Sequence, residues 1–292
     1  MLKEYKTIVL KEINSNAILK LNRPNKLNAF NMQMLDDMLD AIERVNKDDN
    51  IKSLIITGTG RAFCAGADLS FGEKTFDKNF DTKAQYESDV RRDAGGILNL
   101  KIYNCLKPVI VACNGAAVGV GATMQLPADI RIASFNSKYG FVFANRGIVP
   151  DGCASWFLPK IIGVSKALEL CYSGQLIDGS EALEIGLVNY LVEEENLLEK
   201  SFEIADLICS TSAPVSLAMT RHMLWSLSAE DDPEHAHIIE SKLIDSRGVS
   251  ADAKEGVMSF LEKRDAKFMN TISKDRSEEH TSELQSPVTI SY

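Results

Sequence analysis

Residues 146–152 read RGIVPDG, which sets Asp151 between Pro150 and Gly152 in a tight, mostly apolar turn. Most acids in a globular chain lie on solvated faces. A carboxylate held among apolar groups resists ionisation and can exchange protons near neutral pH, which is general acid–base chemistry. The competing reading is a helix N-cap, because an aspartate just before CASWFL can accept from orphan backbone N–H groups. The local sequence leaves both open.

Two further stretches carry chemistry in the backbone. RAFCAGADLS, at 61–70, follows an apolar strand pattern that ends at Gly58, and its turn opens N–H groups near Ala67. NGAAVGVGATM, at 114–124, follows a second apolar pattern that ends at Cys113, and its small residues lead into a helix start near Val118. The first N–H groups of a helix have no partner within it. Two such turns facing each other form a two-donor cradle for a developing oxyanion, each donor worth ~10²–10³ in rate. Either turn alone is ordinary strand-to-helix geometry; both, in this order and separation, point to the cradle.

Other reactive residue types carry less. His235 and His237 are two apart on a predicted helix and face different ways. His222 stands alone, and no metal site is expected. Cys64 lies beside the first turn without a histidine partner and reads as packing. Asp129 reads as fixing the turn into the next strand. Asp89 and Asp93, at i and i+4 of a predicted helix, read first as a solvated face and second as a source of another acid.

Composition bounds the partners. A net charge of −9 argues against a bulk nucleic-acid partner, while leaving room for a local Lys/Arg cluster on one small anion. The six cysteines, Cys64, Cys105, Cys113, Cys153, Cys171 and Cys209, form no C-x-x-C pair and read as buried free thiols of a reducing, cytoplasmic setting. MLKEYKTIVL at the start lacks the shape of a signal peptide, and no apolar run reaches the roughly 18 residues of a membrane span.

The elements that must position these groups alternate. Residues 6–22 read as a hairpin about Asn14–Ser15–Asn16. Residues 31–46 place Met34, Leu35, Met38, Leu39, Ile42 and Val45 at helical spacing. SLIITG at 53–58, KPVIVACNG at 107–115 and IRIAS at 130–134 read as buried strands. Residues 84–106 read as a helix with a break at Gly95–Gly96, and 119–129 as a helix stopped by Pro127. Residues 70–83 form a long polar loop. Helical patterns cover 153–186, a last strand 186–192, and nearly all of 194–268 is helical, with patterns at 214–227 and 235–246 suited to subunit packing. The fold class is α/β. Residues 276–286, RSEEHTSELQS, look like the translation of a sequencing adapter, so 269–292 is set aside as a tail.

The motifs LNRPNKLNAFNMQM at 21–34, FCAGADL at 63–69, NGAAVGVGATM at 114–124, PADIRIAS at 127–134 and FLEKRDAKF at 260–268 together resemble the crotonase superfamily, the enoyl-CoA hydratase/isomerase enzymes. The resemblance implies a spiral of ββα units over about 1–205 and a helical region over 206–268 that builds homotrimers or hexamers. It implies an acyl-CoA thioester as substrate, and makes the Ala67 and Val120 N–H groups the oxyanion donors. Coenzyme A enters with the substrate, and the resemblance implies contacts from Lys26, Ala29, Ala65, Ala67, Asp68 and Leu69, with Phe260 and Lys263 reaching a neighbouring subunit's CoA. The two hydratase glutamates fall at Thr123 and Phe143, so the two-carboxylate hydration mechanism lacks its acids there. Asp151 falls where single-acid family members carry their catalytic carboxylate, which points to enoyl-CoA double-bond isomerisation ahead of hydration, displacement or hydrolysis, or binding without catalysis. Phe141, Phe143 and Trp156 are expected to form an apolar wall that raises the pKa of Asp151.

Overall fold

The computed structural model describes residues 4–77, 85–87 and 90–276. The first hairpin joins β1 (Ile8–Ile13) to β2 (Asn16–Leu21) in antiparallel register. Asn14 and Ser15 both take positive φ, at 50° and 63°, the twist a two-residue hairpin turn needs. Helix α1 (Met32–Lys47) starts at Asn31, whose side chain accepts from the Met34 N–H at 2.9 Å. Its inner face is the expected set of Met34, Leu35, Met38, Ile42 and Val45, all buried, with Leu39 half-buried.

From here the chain repeats one movement. It runs along β3 (Ser53–Gly58), then β4 (Ala62–Cys64). After the short pair β5 (Gln85–Glu87) and β6 (Val90–Arg92) it enters α2 (Ala94–Tyr103). It returns through β7 (Val109–Cys113), β8 (Ala116–Val118) and α3 (Val120–Thr123). It then passes through β9 (Ile130–Ser134), β10 (Lys138–Gly140) and α4 (Ala154–Ile162). The first strand of each round joins a six-stranded sheet, ordered β1-β2-β3-β7-β9-β12, where β12 is Tyr190–Val192. The second joins a four-stranded sheet, ordered β11-β10-β8-β4, where β11 is Leu176–Asp178. Three turns of a ββα spiral thus stack side by side. β4, β8 and β10 run parallel as neighbours, so their carboxyl ends open on one edge. Both sides of β3 and β7 are apolar because helices or the second sheet cover each face.

Helices α5 (Val164–Ser173) and α6 (Gly179–Glu184) flank the small sheet. Helix α7 (Leu197–Cys209) runs unbroken through residue 205 and packs Leu197, Ile204 and Ala205 against Ile55, Ile110, Ala112 and Ile132 of the large sheet. Beyond it, α8 (Pro214–Leu227) and α9 (Pro233–Gly248) share a small core of Val215, Met219, Ile239 and Leu243. Helix α10 (Ala251–Glu262) leaves Val257, Phe260 and Leu261 exposed, and α11 (Ile272–Asp275) buries Ile272. Among the described residues, no single helix is long and apolar enough to cross a membrane.

Several boundaries depart from the expectation. The helix expected over 84–106 begins only at Ala94, because Asp93 caps it by accepting from the Gly96 N–H at 2.6 Å. Gly95 and Gly96 sit in its first turn and do not break it. The strand expected at 186–192 spans only Tyr190–Val192, since Gly186 turns at φ 77°. The loop expected at 70–83 opens with a 3-10 turn over Leu69–Lys74, and its residues 78–83 lie outside the described residues, as does Asp89. Residues 269–276, set aside with the tail, pack on the chain, with Ser273 N–H donating to Asp49 Oδ1 at 3.2 Å; residues 277–292 lie outside the described residues.

Candidate active site

The two turns singled out in the sequence leave neighbouring strand ends. β4 pairs with β8 through Cys64 and Ala117, so the turn at 65–67 and the start of α3 at Val120 emerge side by side. Glycine permits their close approach. A Cβ on Gly121 would stand 2.0 Å from the Cys64 carbonyl oxygen, and one on Gly66 would stand 3.2 Å from that of Val118. Phe30 forms a parallel bridge about Ala67: its N–H donates to Gly66 and its carbonyl accepts from Asp68. That pattern turns the Ala67 N–H away from Phe30. The Val120 N–H, first in α3, has no helical partner. Both residues line a cleft of about 630 Å³.

Asp151 lines the same cleft. It arrives from the third strand end, after β10, whose Gly140 carbonyl accepts from the Gly119 N–H at 2.8 Å. Helix α4 begins two residues later at a Cys153 cap with no side-chain capping bond, which overturns the N-cap reading of Asp151. Its carboxylate accepts instead from the Thr123 hydroxyl at 2.9 Å. Burial pushes the Asp151 carboxyl up to about 6; the Thr123 hydroxyl pulls it down, and the charge of Asp93 adds to the rise. The turn is fixed by Asn99, fully buried, whose amide donates to the carbonyls of Thr123 at 2.8 Å and Gly152 at 2.5 Å. Gly152 must be glycine: φ is 64°, and a Cβ would meet Thr123 Oγ1 at 2.7 Å.

The apolar surroundings of Asp151 are not those expected. Phe141 and Phe143 are buried in the main core, and Trp156 packs with Tyr103, Phe157 and Trp225. The cleft lining comes instead from Phe30, Phe71, Phe76, Val120, Ile148 and Val149. Thr123 lies beside Asp151 as a fully buried hydroxyl, and Phe143 is buried and outside the cleft lining, although its carbonyl accepts from the lining residue Ile148.

The remaining predicted residues divide. Asp68 lines the cleft and pairs with Arg23 at 2.7 Å. Burial favours its neutral form, but the Ser70 hydroxyl and Arg23 outweigh it and hold the carboxyl below its usual range. Ala29 and Ala65 flank the same fold-over of chain: Arg23 donates to the Ala29 carbonyl, and the Ala65 N–H donates to Leu27 at 3.0 Å. Leu69 is half exposed, and Lys26 is exposed on the 3-10 turn at Pro24–Lys26, outside the cleft lining. Phe260 is 82% exposed, and Lys263 ends α10 in the left-handed conformation. Cys64 is buried and its thiol pushed up to about 12 by desolvation, so it stays protonated. His222 is buried and pushed down to about 4, also by desolvation. Among the described residues, no three His, Cys, Asp or Glu side chains gather as a metal site requires.

Sequence reasoning missed three positioning residues. Asn28 folds LNRPNKLNAF onto the first turn by donating to the carbonyls of Thr59 and Ala62. Asn99 was unremarked within a helix pattern. Arg221, on α8, donates to Asp129 Oδ2 at 2.8 Å and to the carbonyls of Cys105, Ile102 and Pro127, locking α8 onto the turn that Asp129 holds by accepting from the Val109 N–H.

A ββα spiral whose second strands lie parallel in a small sheet is the crotonase fold, and solved structures agree. An enoyl-CoA hydratase from Bacillus anthracis superposes with a TM-score of 0.78 at 29% identity, over 90% of this chain and 99% of that one. Residues 12–271 match the family described as enoyl-CoA hydratase/isomerase, and the chain belongs to that family, whose members act on acyl-CoA thioesters. Among its relatives, the enoyl-CoA hydratase AKT3-2 of Alternaria alternata is 40% identical, over 90% of this chain and 86% of its own. The 1,2-epoxyphenylacetyl-CoA isomerase of Escherichia coli K12 is 33% identical, over 86% of this chain and 93% of its own.

Proposed function

We propose that the protein moves the double bond of a 3-enoyl-CoA into the 2-position, with Asp151 as the single proton shuttle. One observation carries the reading: Asp151 shares a cleft with Ala67 and Val120, and the family resemblance puts the two hydratase glutamates at Thr123 and Phe143, neither of which is an acid. The thioester oxygen accepts from both N–H groups. The Asp151 carboxylate takes a proton from C2, and the electron pair delocalises over the dienolate onto that oxygen. The Asp151 carboxylic acid then returns the proton to C4, and the double bond rests between C2 and C3. A carboxyl that titrates at about 6 suits both steps, because it is largely ionised at neutral pH and not too weak an acid to give the proton back. Donors pre-aimed at the developing charge contribute the larger share of the rate.

CoA enters as part of the substrate. In this reading Ala29, Ala65, Asp68 and Leu69 flank its pantetheine arm and Lys26 meets a phosphate. Phe260 and Lys263, on the exposed end of α10, serve the site of a neighbouring subunit in a trimer or hexamer.

A second reading is hydration of a 2-enoyl-CoA. Asp93 lines the same cleft and could supply the second carboxylate that water addition uses, and most named relatives are hydratases. Incubation with 3-enoyl-CoA and with 2-enoyl-CoA in deuterated water, followed by mass spectrometry, separates the two. Isomerisation gives migration with deuterium exchange and no added water, abolished in Asp151→Asn. Addition of water to the 2-enoyl substrate, without migration of the 3-enoyl one, overturns the first reading.

A further inference from the structure

A second carboxylate stands in the floor of the cleft. Asp93 comes from the N-cap of α2 and Asp151 from the turn after β10, 58 residues apart in the chain but close in space. The point that a Cβ on Gly95 would occupy lies 3.3 Å from Asp93 Oδ1 and 3.4 Å from Asp151 Cγ. The same point lies 3.3 Å from Val120 Cγ2. Gly95 thus leaves open the space that the two acids and the donor residue share. Asp93 Oδ1 accepts from the Gly96 N–H at 2.6 Å and from the Gly152 N–H at 3.2 Å. The second of these bonds ties Asp93 to the residue directly after Asp151.

We propose that Asp93 is a positioning residue for Asp151, holding its turn through the Gly152 N–H and setting a second carboxylate beside it, so that the cleft works as an unequal carboxylate pair. The two acids are made unequal by their partners. Asp93 receives two backbone N–H bonds, whereas Asp151 receives one hydroxyl and sits among apolar groups. A like charge nearby makes a carboxyl harder to ionise. Other titratable groups face Asp151 as well. Cys64 on β4 and Cys153 in its own turn are both raised by burial and stay neutral. Asp68, Lys74, Asp77 and Arg91 line the cleft farther out. The upward push on Asp151 adds the charge of Asp93 to burial.

This inference rests on the reading of Asp151 as the proton-exchanging group, and it is tested without turnover. In protein labelled with 13C, the aspartate carboxyl signal missing from Asp151→Asn identifies Asp151. Its midpoint, near 6 in the parent protein, should fall by about one unit in Asp93→Asn, where the amide oxygen keeps both N–H bonds and only the charge is gone. Asp93→Ser, a competent N-cap too short to hold Gly152, should lower the midpoint as well and reduce kcat further. If Asp93→Asn does not fold, judged by CoA binding, the serine variant carries the titration. A midpoint unmoved in the folded variant overturns the proposal and leaves Asp93 a helix cap. If the parent protein migrates no double bond, the functional reading fails while the titration still stands or falls by itself.

Discussion

The Thr123 hydroxyl donates to Asp151 Oδ1 over 2.9 Å, from the helix that carries the Val120 N–H. The bond favours the carboxylate over the acid. Thr123→Val removes it with little change of volume. The acid limb of the kcat/KM profile should then move to higher pH by about half a unit to one unit. A limb that stays in place would show that the hydroxyl only fills space.

Asp151→Asn should lower turnover by about 10²–10⁴ while CoA-thioester affinity survives, since the cradle is backbone. The same variant reports on stability. The folded chain holds the Asp151 proton up to about pH 6, above the ordinary 3.8. That favours the folded state below the unfolded value, and the benefit is lost as pH rises through about 6. The asparagine variant should therefore be more stable than the parent by about 1–2 kcal/mol at neutral pH and above, after discounting for partial exposure. Urea melts across this range check it, and the gap should close near pH 4.

Gly95→Ala sets a good helix former in the first turn of α2, which by propensity alone adds up to about 1 kcal/mol. Its methyl group would enter the gap between Asp93, Asp151 and Val120. We expect a chain as stable as the parent and a loss of about 10–100-fold in kcat/KM from displaced reacting groups. Full activity in a folded variant would place the reacting carbons elsewhere in the cleft.

Arg221→Met leaves Asp129 without its cation and the carbonyls of Ile102, Cys105 and Pro127 without their donor. Breaking a buried pair on one side costs about 3–5 kcal/mol. Because Asp129 also holds the Val109 N–H, chemical melts should show one cooperative loss and not a separate release of α8. A cost under about 1 kcal/mol would mean that solvent replaces the guanidinium freely.

The placing of the two turns side by side was legible because their parts are local. Each turn follows directly on an apolar strand, and glycines at 66 and 121 signal close backbone approach. Asp151 was legible as an acid in the wrong surroundings. The wall about it was not, because Phe30 and Phe71 reach the cleft from distant segments, while Phe143, much nearer to Asp151 in sequence, turns into the core. The false start of α2 at residue 84 came from reading Gly95–Gly96 as a break. Asp93 three residues before Gly96 was the available sign of a cap. No pattern could have joined Arg221 to carbonyls 94 to 119 residues away.

The spiral deals its three strand ends unequal hands. The ends of β4 and β8 offer main-chain N–H groups, which no side-chain replacement other than proline deletes. The loop that follows β10 offers a side chain, Asp151, and a single base change can rewrite it. Under the proposed function, inheritance works on the two halves at different speeds: backbone donors for a thioester oxygen endure through drift, and the chemistry performed beside them is free to turn over. A lineage of such chains would keep one kind of intermediate while changing what becomes of it.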